Sequence, residues 1–303
     1  MTHAPDPAKS ETTMLAYYEV TTKCNAHCPH CTIPDKQKYD SPIERSFSEI
    51  FSDFSYLKNR LDVTKIVLSG GEPTLRYSLP EMVHYARTVF RDVAVISNGS
   101  NFDVLQNVPC KKWVSIDYYG YKQDSYRGIK MWDNYLKLIK NVNVRATMFN
   151  DNFTDLKQLI ETTRLNNTEI TIVPYKGTNK DFAPSPEKIM ILTEHIINGN
   201  YLNAVIDDSA TRAYIASYTT KKDFIGCSAC ESIIRVKPNG KITPCPFLPT
   251  EICDLYDPNI QQKIMQYRNQ LLTVYPEKCV NCNMKIVCGG CKASANHHCP
   301  ITT

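Results

Sequence analysis

The sequence predicts an α/β fold followed by a small cysteine-rich domain. From Leu15 to about Asn200, short β-rich runs alternate with longer segments of helical periodicity. After Gly199 this alternation stops, and Pro, Cys and short turns dominate from Cys227 to Cys299. The chain has 303 residues, which is enough for one large domain and a small one.

Each strand candidate is rich in Val, Ile, Thr and Tyr and ends at Gly, Asn, Pro or a polar cluster. The six candidates are Leu15–Thr21, Lys65–Ser69, Asp92–Ser97, Trp113–Asp117, Val142–Phe149 and Glu169–Pro174. Helical spacing of apolar residues lies between them, for example over Ser78–Phe90 and Asn152–Leu165. Six β-α repeats predict a parallel sheet covered by helices.

Composition restricts the setting of the protein. Residues 1–14 are expected to be a disordered lead-in, residues 15–215 the α/β domain, and residues 216–303 the cysteine-rich domain. No apolar run reaches the roughly eighteen residues of a membrane span, and the amino terminus lacks the apolar core of a secretory signal. We therefore expect a cytoplasmic protein, whose thirteen cysteines indicate metal binding or catalysis rather than disulfides.

The most informative motif follows the first strand candidate. Cys24, Cys28 and Cys31 have the spacing C-x3-C-x2-C. Iron–sulfur clusters normally take four cysteine ligands, so three thiolates leave one iron of a four-iron cubane open to a reactant. A zinc site is the alternative, with His27 or His30 as a fourth ligand.

A second motif follows the second strand candidate about forty residues later, the segment Gly70-Gly71-Glu72-Pro73. Zinc binding gives no reason for this segment, but the two motifs in this order resemble the radical S-adenosylmethionine (SAM) superfamily. Both lie at carboxyl ends of strands, where α/β barrels carry their chemistry. The resemblance implies a partial (β/α)6 TIM-like barrel, and the six strand candidates agree with it.

The resemblance also implies a cofactor set. The open iron of a [4Fe-4S] cluster would chelate SAM, and a reduced cluster would cleave SAM to a 5′-deoxyadenosyl radical. The residues it assigns to SAM contacts are His30, Gly70, Gly71, Glu72, Pro73, Ser97, Asn98, Ser115 and Arg127. Alternatives from the residues alone are a surface position for His30, a plain turn at Ser97-Asn98, and a structural pairing of Arg127 with Asp124.

Eight further cysteines form a C-terminal array in two groups. The first group is Cys227, Cys230 and Cys245, and the second is Cys279, Cys282, Cys288, Cys291 and Cys299. A β-hairpin is predicted between Ile233 and Thr243, turned at Asn239-Gly240, and would bring Cys230 towards Cys245. Helical periodicity returns only around Pro258–Val274. Two zinc sites that hold the domain together are the plain alternative to iron.

The array resembles the SPASM extension of some radical SAM enzymes, with one residue fewer between Cys288 and Cys291 than is usual. By that resemblance, one auxiliary [4Fe-4S] cluster uses Cys227, Cys230, Cys245 and Cys291. The other uses Cys279, Cys282, Cys288 and Cys299. Three clusters add roughly five negative charges to the formal net charge of +4, so nucleic acid binding is not expected.

Cys110 and Cys253 are left over. Cys110 is expected to be a buried apolar thiol, and Cys253 is a spare candidate ligand beside the array. His297 and His298 flank Cys299 and could serve as ligands or remain solvated.

Three hypotheses for function follow. The first is oxidative modification of a peptide or protein, by a crosslink or side-chain oxidation, with electron exit through the auxiliary clusters. The second is oxidation or epimerisation of a small molecule such as an aminosugar or nucleoside, and the third is a non-catalytic iron–sulfur or zinc module. The first requires an external one-electron reductant of the flavodoxin or ferredoxin type. Because only about fourteen residues precede the barrel, it also requires direct peptide docking or a separate peptide-recognition protein.

Overall fold

The computed structural model describes residues 13–218, 226–275, 277–293 and 299. Within these residues ten strands form one sheet. The strands are β1 (Met14–Thr21), β2 (Val63–Gly70), β3 (Asp92–Ser97), β4 (Lys111–Ser115), β5 (Asn143–Met148), β6 (Ile170–Pro174), β7 (Ala204–Ile206), β8 (Ile233–Val236), β9 (Lys241–Thr243) and β10 (Cys253–Asp254). Their order across the sheet is β10-β9-β8-β1-β2-β3-β4-β5-β6-β7.

The α-helices of the described residues lie mainly between successive strands. They are α1 (Phe47–Leu61), α2 (Leu79–Val89), α3 (Phe102–Asn107), α4 (Lys122–Arg127), α5 (Trp132–Leu138), α6 (Phe153–Leu165), α7 (Pro186–Asn198), α8 (Ser209–Tyr218), α9 (Ile260–Thr273) and α10 (Lys285–Cys288). Short π-helical and 3₁₀ turns cover Lys36–Asp40, Pro73–Leu75 and Glu277–Cys279.

The predicted parallel sheet of β/α repeats is confirmed. Strands β1 to β7 pair in sequence order, and every one of these pairs is parallel. The six predicted strands are β1 to β6, with ends that differ from the prediction by up to two residues. Strand β7 was not among the predicted strands, because its three residues are too few to show a period.

Local sequence explains how these elements begin and pack. At the start of α1, the Ser46 hydroxyl accepts from the Glu49 amide and the Glu49 carboxylate accepts from the Ser46 amide, which is a capping box. Ile50, Phe54 and Leu57 then follow at helical spacing and are fully buried. Burial of such apolar faces against the sheet forms one hydrophobic core for the barrel.

The predicted hairpin forms, but it extends the barrel sheet. Strands β8 and β9 pair antiparallel with Arg235 opposite Thr243, and Gly240 turns the chain at φ +78°. Strand β8 also pairs parallel with β1, with Leu15 opposite Ile233. The core of the hairpin, including Ile234, belongs to the same hydrophobic cluster as the barrel. The domain boundary at residue 216 remains a prediction. The predicted α/β domain and the predicted cysteine-rich domain share one sheet, because β8 pairs with β1.

The structure bears only partly on the predicted lead-in, residues 1–14, and on the expected absence of a membrane span. Most of the lead-in lies outside the described residues, and Met14, at its end, is the first residue of β1. Among the described residues, no helix is both long and apolar enough to cross a bilayer.

Candidate active site

The first cysteine loop, residues 24–31, follows β1 at the carboxyl edge of the parallel strands. The Cys24 amide donates to the Lys38 carbonyl (3.5 Å), and the Cys31 amide donates to the Cys28 carbonyl (3.1 Å). All three thiols of this loop line one cavity of about 210 Å³. Burial raises the pKa of Cys24 to about 11, so its thiolate needs a cation such as iron beside it.

Gly70 and Gly71 hold the loop after β2 against the cysteine loop. A Cβ on Gly70 would lie 2.3 Å from the Thr21 carbonyl oxygen, and one on Gly71 would lie 2.2 Å from the Lys23 carbonyl oxygen. The Gly71 amide donates to Thr21 and the Glu72 amide to Lys23, each at 2.7 Å. Only glycine permits this approach of two backbones, so the Gly-Gly pair places the second loop in the cavity wall.

Glu72 is fully buried and joins the loops after β2 and β3. Its carboxylate accepts from the Thr74 amide (3.0 Å) and hydroxyl (2.5 Å), the Ser97 hydroxyl (2.8 Å) and the Asn98 amide (2.6 Å). Burial raises the pKa of Glu72, and these hydrogen bonds oppose the rise. Neither Glu72 nor Pro73 is among the described residues that line the cavity. Glu72 therefore shapes the site through its neighbours.

The loop after β3 contacts the cysteine loop through side chains. The Asn98 amide group donates to the Asn25 side-chain oxygen (2.9 Å), and the Asn25 amide group donates to the Ser100 hydroxyl (3.0 Å). Ser97 and Asn98 both line the cavity, as does Ser115 at the end of β4. These contacts fix the position of the cysteine loop relative to the sheet.

A buried ion pair lies beside Cys28. An Arg127 guanidinium nitrogen donates to the Asp117 carboxylate at 2.5 Å, and its other terminal nitrogen lies 3.6 Å from the Cys28 sulfur. Asp117 also accepts from the Thr147 amide at 2.7 Å. Burial by itself would raise the pKa of Asp117, but the Arg127 charge and the hydrogen bonds from Arg127 and the Thr147 amide act together against it, and the pKa is lowered. The alternative pairing of Arg127 with Asp124 is not formed, because Asp124 accepts amides at the start of α5 instead.

His30 lines the cavity, and an aromatic wall of Tyr126 and Phe149 stands behind it. Its Nδ1 is 2.8 Å from the Tyr126 hydroxyl, and the two rings are stacked with centroids 5.6 Å apart. The Phe149 ring lies 5.1 Å away on another side. Burial lowers the pKa of His30 to about 4, so the imidazole is neutral near pH 7.

Arg145 lines the same cavity from β5 and was not assigned to the site from sequence. Its guanidinium carbon lies 5.9 Å from the centre of the Tyr17 ring. Among the described residues the structure shows neither an ion pair nor a hydrogen bond for this side chain. In β5, buried Val144 and Ala146 alternate with Arg145 and Thr147. That alternation was the available signal for a cation facing the barrel interior.

Ten of the predicted site residues therefore meet in one cavity. They are Cys24, Cys28, His30, Cys31, Gly70, Gly71, Ser97, Asn98, Ser115 and Arg127. Asp117, Arg145 and Thr147 join them without having been assigned to the site from sequence.

In the C-terminal array, Cys227, Cys230, Cys245 and Cys291 lie near enough to one another for their charges to interact. Burial raises the pKa of the first three thiols, and the charges of other members of the set raise it further. The Arg268 guanidinium, from α9, donates to the carbonyl oxygens of Cys227 and Ala229 and so holds the first loop of the set. The assignment of these four cysteines to one auxiliary cluster remains a prediction, and Cys253, outside the set, also raises the pKa of Cys230.

The second group is described less completely. The Cys282 amide donates to the Cys279 carbonyl at 3.2 Å, which closes a tight turn. Cys288 and Cys299 are buried in one small apolar cluster with Ala210 of α8. Of the four cysteines assigned to the second auxiliary cluster, Cys288, the last residue of α10, and Cys299 thus lie beside α8.

The remaining predictions on ligands have mixed outcomes. Cys253 is buried within the main hydrophobic core, and Cys110 packs partly buried against it. His297 and His298 lie outside the described residues. Over the described ranges, no group of three or more His, Cys, Asp or Glu side chains is arranged to hold a single metal ion.

The family model of the radical SAM superfamily matches residues 18–181, more than half of the chain. This segment contains the cysteine loop, the Gly-Gly pair and the Asp117–Arg127 pair. The chain belongs to the radical SAM superfamily. Its members use SAM and a [4Fe-4S] cluster, and the cavity has three free thiols at the family spacing.

Curated relatives include members that act on different substrates. The chain is 25% identical to a PqqA peptide cyclase of Granulibacter bethesdensis, over 91% of this chain and 82% of that protein. It is 36% identical to a 7,8-dihydro-6-hydroxymethylpterin dimethyltransferase of Methanocaldococcus jannaschii, over 31% of this chain. The second alignment spans only 19% of that relative's length.

Among solved structures, the chain resembles Streptococcus suis SuiB bound to S-adenosylmethionine. The TM-score is 0.69 at 16% identity, over 93% of this chain and 73% of that chain. SuiB bound to its precursor peptide SuiA gives a TM-score of 0.68 at 14% identity, over 93% of this chain and 72% of that chain. These similarities establish a shared TIM-like radical SAM fold.

Proposed function

We propose that this chain cleaves SAM reductively and oxidatively modifies a peptide or protein substrate, by a crosslink or a side-chain oxidation. The observation that carries the proposal is the meeting of Cys24, Cys28 and Cys31 with Gly70-Gly71 in one cavity at the carboxyl ends of parallel strands. When bound, a [4Fe-4S] cluster and SAM supply radical chemistry that removes hydrogen from an unactivated carbon.

The residues of the cavity fit this cofactor pair. Three thiols hold a cluster with one ligand position free. The Arg127 charge beside Cys28 offsets the negative charge of a thiolate. Two arginines line the cavity, and Arg127 is already paired with Asp117. Arg145 has no ion-pair partner among the described residues, so its guanidinium can bind the carboxylate of SAM or of a substrate.

The aromatic wall around His30 has a protective role in this proposal. His30, Tyr126 and Phe149 pack within 5.1–5.6 Å of one another, measured between ring centroids. Tyr118 extends the wall, and its hydroxyl donates to Asp151 at 2.7 Å. Such a wall excludes water and stray hydrogen donors from a reacting carbon.

A peptide substrate is favoured by similarity along the chain. The alignment with the PqqA peptide cyclase covers 91% of the chain, so it extends well beyond the family segment 18–181. The fold similarity to SuiB covers 93% of the chain and so also extends beyond this segment. We infer that the C-terminal array is a SPASM-type domain that binds two auxiliary clusters. These would accept an electron from the substrate radical that hydrogen removal leaves, and a flavodoxin or ferredoxin type of protein would supply the electron that cleaves SAM.

The test combines the reconstituted protein with SAM, a low-potential reductant and candidate peptides under anaerobic conditions. We expect 5′-deoxyadenosine to rise and a peptide to lose two mass units. A Cys28→Ala variant should abolish both, while Cys110→Ser should leave both unchanged. If no peptide, with or without a separate recognition protein, raises 5′-deoxyadenosine while an aminosugar or nucleoside does, the substrate class is wrong. Failure to cleave SAM at all would overturn the proposal.

A further inference from the structure

Lys176 is a buried cation that lies between the barrel and the C-terminal array. It follows β6 by two residues, and only 4% of its side chain is exposed. Its ammonium group is 2.5 Å from the Asp208 carboxylate and donates to the Cys291 sulfur at 3.5 Å. The Phe247 ring lies 5.6 Å from the same ammonium group. Lys176 therefore joins a barrel carboxylate to a predicted cluster ligand.

Asp208 is held in place independently of Lys176. Its second carboxylate oxygen accepts from the Thr211 amide (3.0 Å) and the Thr211 hydroxyl (3.2 Å), at the start of α8. The Asp208 side chain is fully buried. Because both Lys176 and Asp208 follow barrel strands, β6 and β7, the barrel fixes the direction in which the ammonium group points.

Burial of an ammonium group is costly unless charges and hydrogen bonds compensate it. A buried ion pair between β6 and β7 could be replaced by apolar residues without loss of stability. The contact with Cys291 gives the lysine a further role. Hydrogen bonds to cluster sulfurs and nearby charge set the reduction potential of an iron–sulfur cluster.

We propose that Lys176 is a positioning residue that orients Cys291 and raises the reduction potential of a cluster held by Cys227, Cys230, Cys245 and Cys291. Asp208 limits this effect because its negative charge offsets part of the ammonium charge. The proposal rests on the auxiliary cluster of the proposed function. It adds which residues outside the cysteine array make that cluster easier to reduce.

Two substitutions of opposite charge separate this role from a structural one. Lys176→Met removes the cation and the hydrogen bond, so the cluster should become harder to reduce. Asp208→Asn keeps the size and the Thr211 contacts but removes a negative charge, so the cluster should become easier to reduce. A merely structural pair would give iron loss in both variants and no opposed shift.

The chain offers a matched control in Lys292, beside Cys291 in sequence. Its ammonium group donates to the Gly289 carbonyl at 3.0 Å and lies 4.5 Å from the Tyr275 ring centre. Lys292→Met removes one charge from the same region without removing the hydrogen bond from Lys176 to sulfur. Lys176→Arg is the conservative variant that keeps both charge and donor.

The measurement is a redox titration followed by electron paramagnetic resonance on the reconstituted full chain. Signals that SAM leaves unchanged belong to clusters of the C-terminal array. For Lys176→Met we expect at least a tenfold change in the one-electron equilibrium constant, a shift of about 59 mV to lower potential. Asp208→Asn should shift the potential upward. Lys176→Arg should keep the wild-type potential, and Lys292→Met should change it less than Lys176→Met does.

Shifts of the same sign in Lys176→Met and Asp208→Asn would overturn the proposal, as would a Lys292→Met shift as large as that of Lys176→Met. If Lys176→Met loses its iron, Asp208→Asn and Lys176→Arg still decide the outcome. Opposed shifts in a protein that oxidises no peptide would support this inference while the proposed substrate fails. Absence of any SAM-insensitive signal in the wild-type chain would overturn the auxiliary cluster and this inference with it.

Discussion

Replacement of Gly71 by alanine tests how the two motifs of the site depend on each other. A Cβ at this position would lie 2.2 Å from the Lys23 carbonyl oxygen and 2.5 Å from the Thr22 carbonyl oxygen. The first distance is about 0.8 Å below the 3.0 Å at which real Cβ contacts begin. Both obstructing atoms are backbone, so relief requires that the start of the cysteine loop moves away from β2.

The magnitude follows from this displacement. Overpacking costs about 1–3 kcal/mol. We expect Gly71→Ala to lower the free energy of unfolding by about 3 kcal/mol, because no side chain can rotate away from the new Cβ. A shift of roughly 1 Å in a reacting group costs on the order of 100-fold in rate. Cys24 follows Lys23 directly, so we expect SAM cleavage to fall by about that factor.

The assay compares Gly71→Ala with Gly120→Ala. Gly120 has φ +69° and no atom within 4 Å of a built Cβ. Alanine there carries only the strain of a left-handed backbone, about 1 kcal/mol. Urea titration gives the free energy of unfolding, and iron content after reconstitution gives cluster binding. A Gly71→Ala protein that is as stable as Gly120→Ala and binds iron as the wild type does would refute the reasoning.

Three further substitutions test individual side chains. Arg127→Met leaves Asp117 buried without its cation, so urea titration should show a loss of about 3–5 kcal/mol, and a loss below 1 kcal/mol would contradict the ion pair. His30 has a pKa of about 4 in the fold and about 6.5 when unfolded, because burial disfavours its charged form. Its contribution to stability is therefore complete above pH 6.5 and is lost as the pH falls to about 4; His30→Phe should flatten this part of the pH–stability profile of the metal-free chain, and an unchanged slope would exclude His30. Arg145→Met should raise KM for SAM at least tenfold while the urea midpoint stays constant, and a shifted midpoint with unchanged KM would make Arg145 structural.

The sequence was sufficient where a local motif carries the chemistry. Cys24, Cys28 and Cys31 lie within one loop, and the glycines that pack against that loop directly follow a clear strand candidate. The parallel sheet was predictable because each of its first six strands is long enough to show a β-rich run between turn residues. The hairpin between β8 and β9 was predictable because Asn239-Gly240 is a strong local turn signal.

Long-range contacts between single residues were not predictable. Arg145 has an ordinary strand position, and only the curvature of the sheet places it opposite Tyr17 of β1 and in the cavity of the cysteine loop. Lys176 and Cys291 are 115 residues apart, so no spacing rule relates them. The hairpin was expected in a separate domain, because the sequence of β8 does not show that its partner is β1.

The most direct test of the account is the content of iron, sulfide and zinc per chain after anaerobic purification and reconstitution. We expect about twelve irons and twelve sulfides with little zinc, which corresponds to three four-iron clusters. About four irons, with zinc bound by the C-terminal cysteines, would contradict it. In that case the SAM-cleaving core would remain, and redox-neutral chemistry such as epimerisation would replace oxidation.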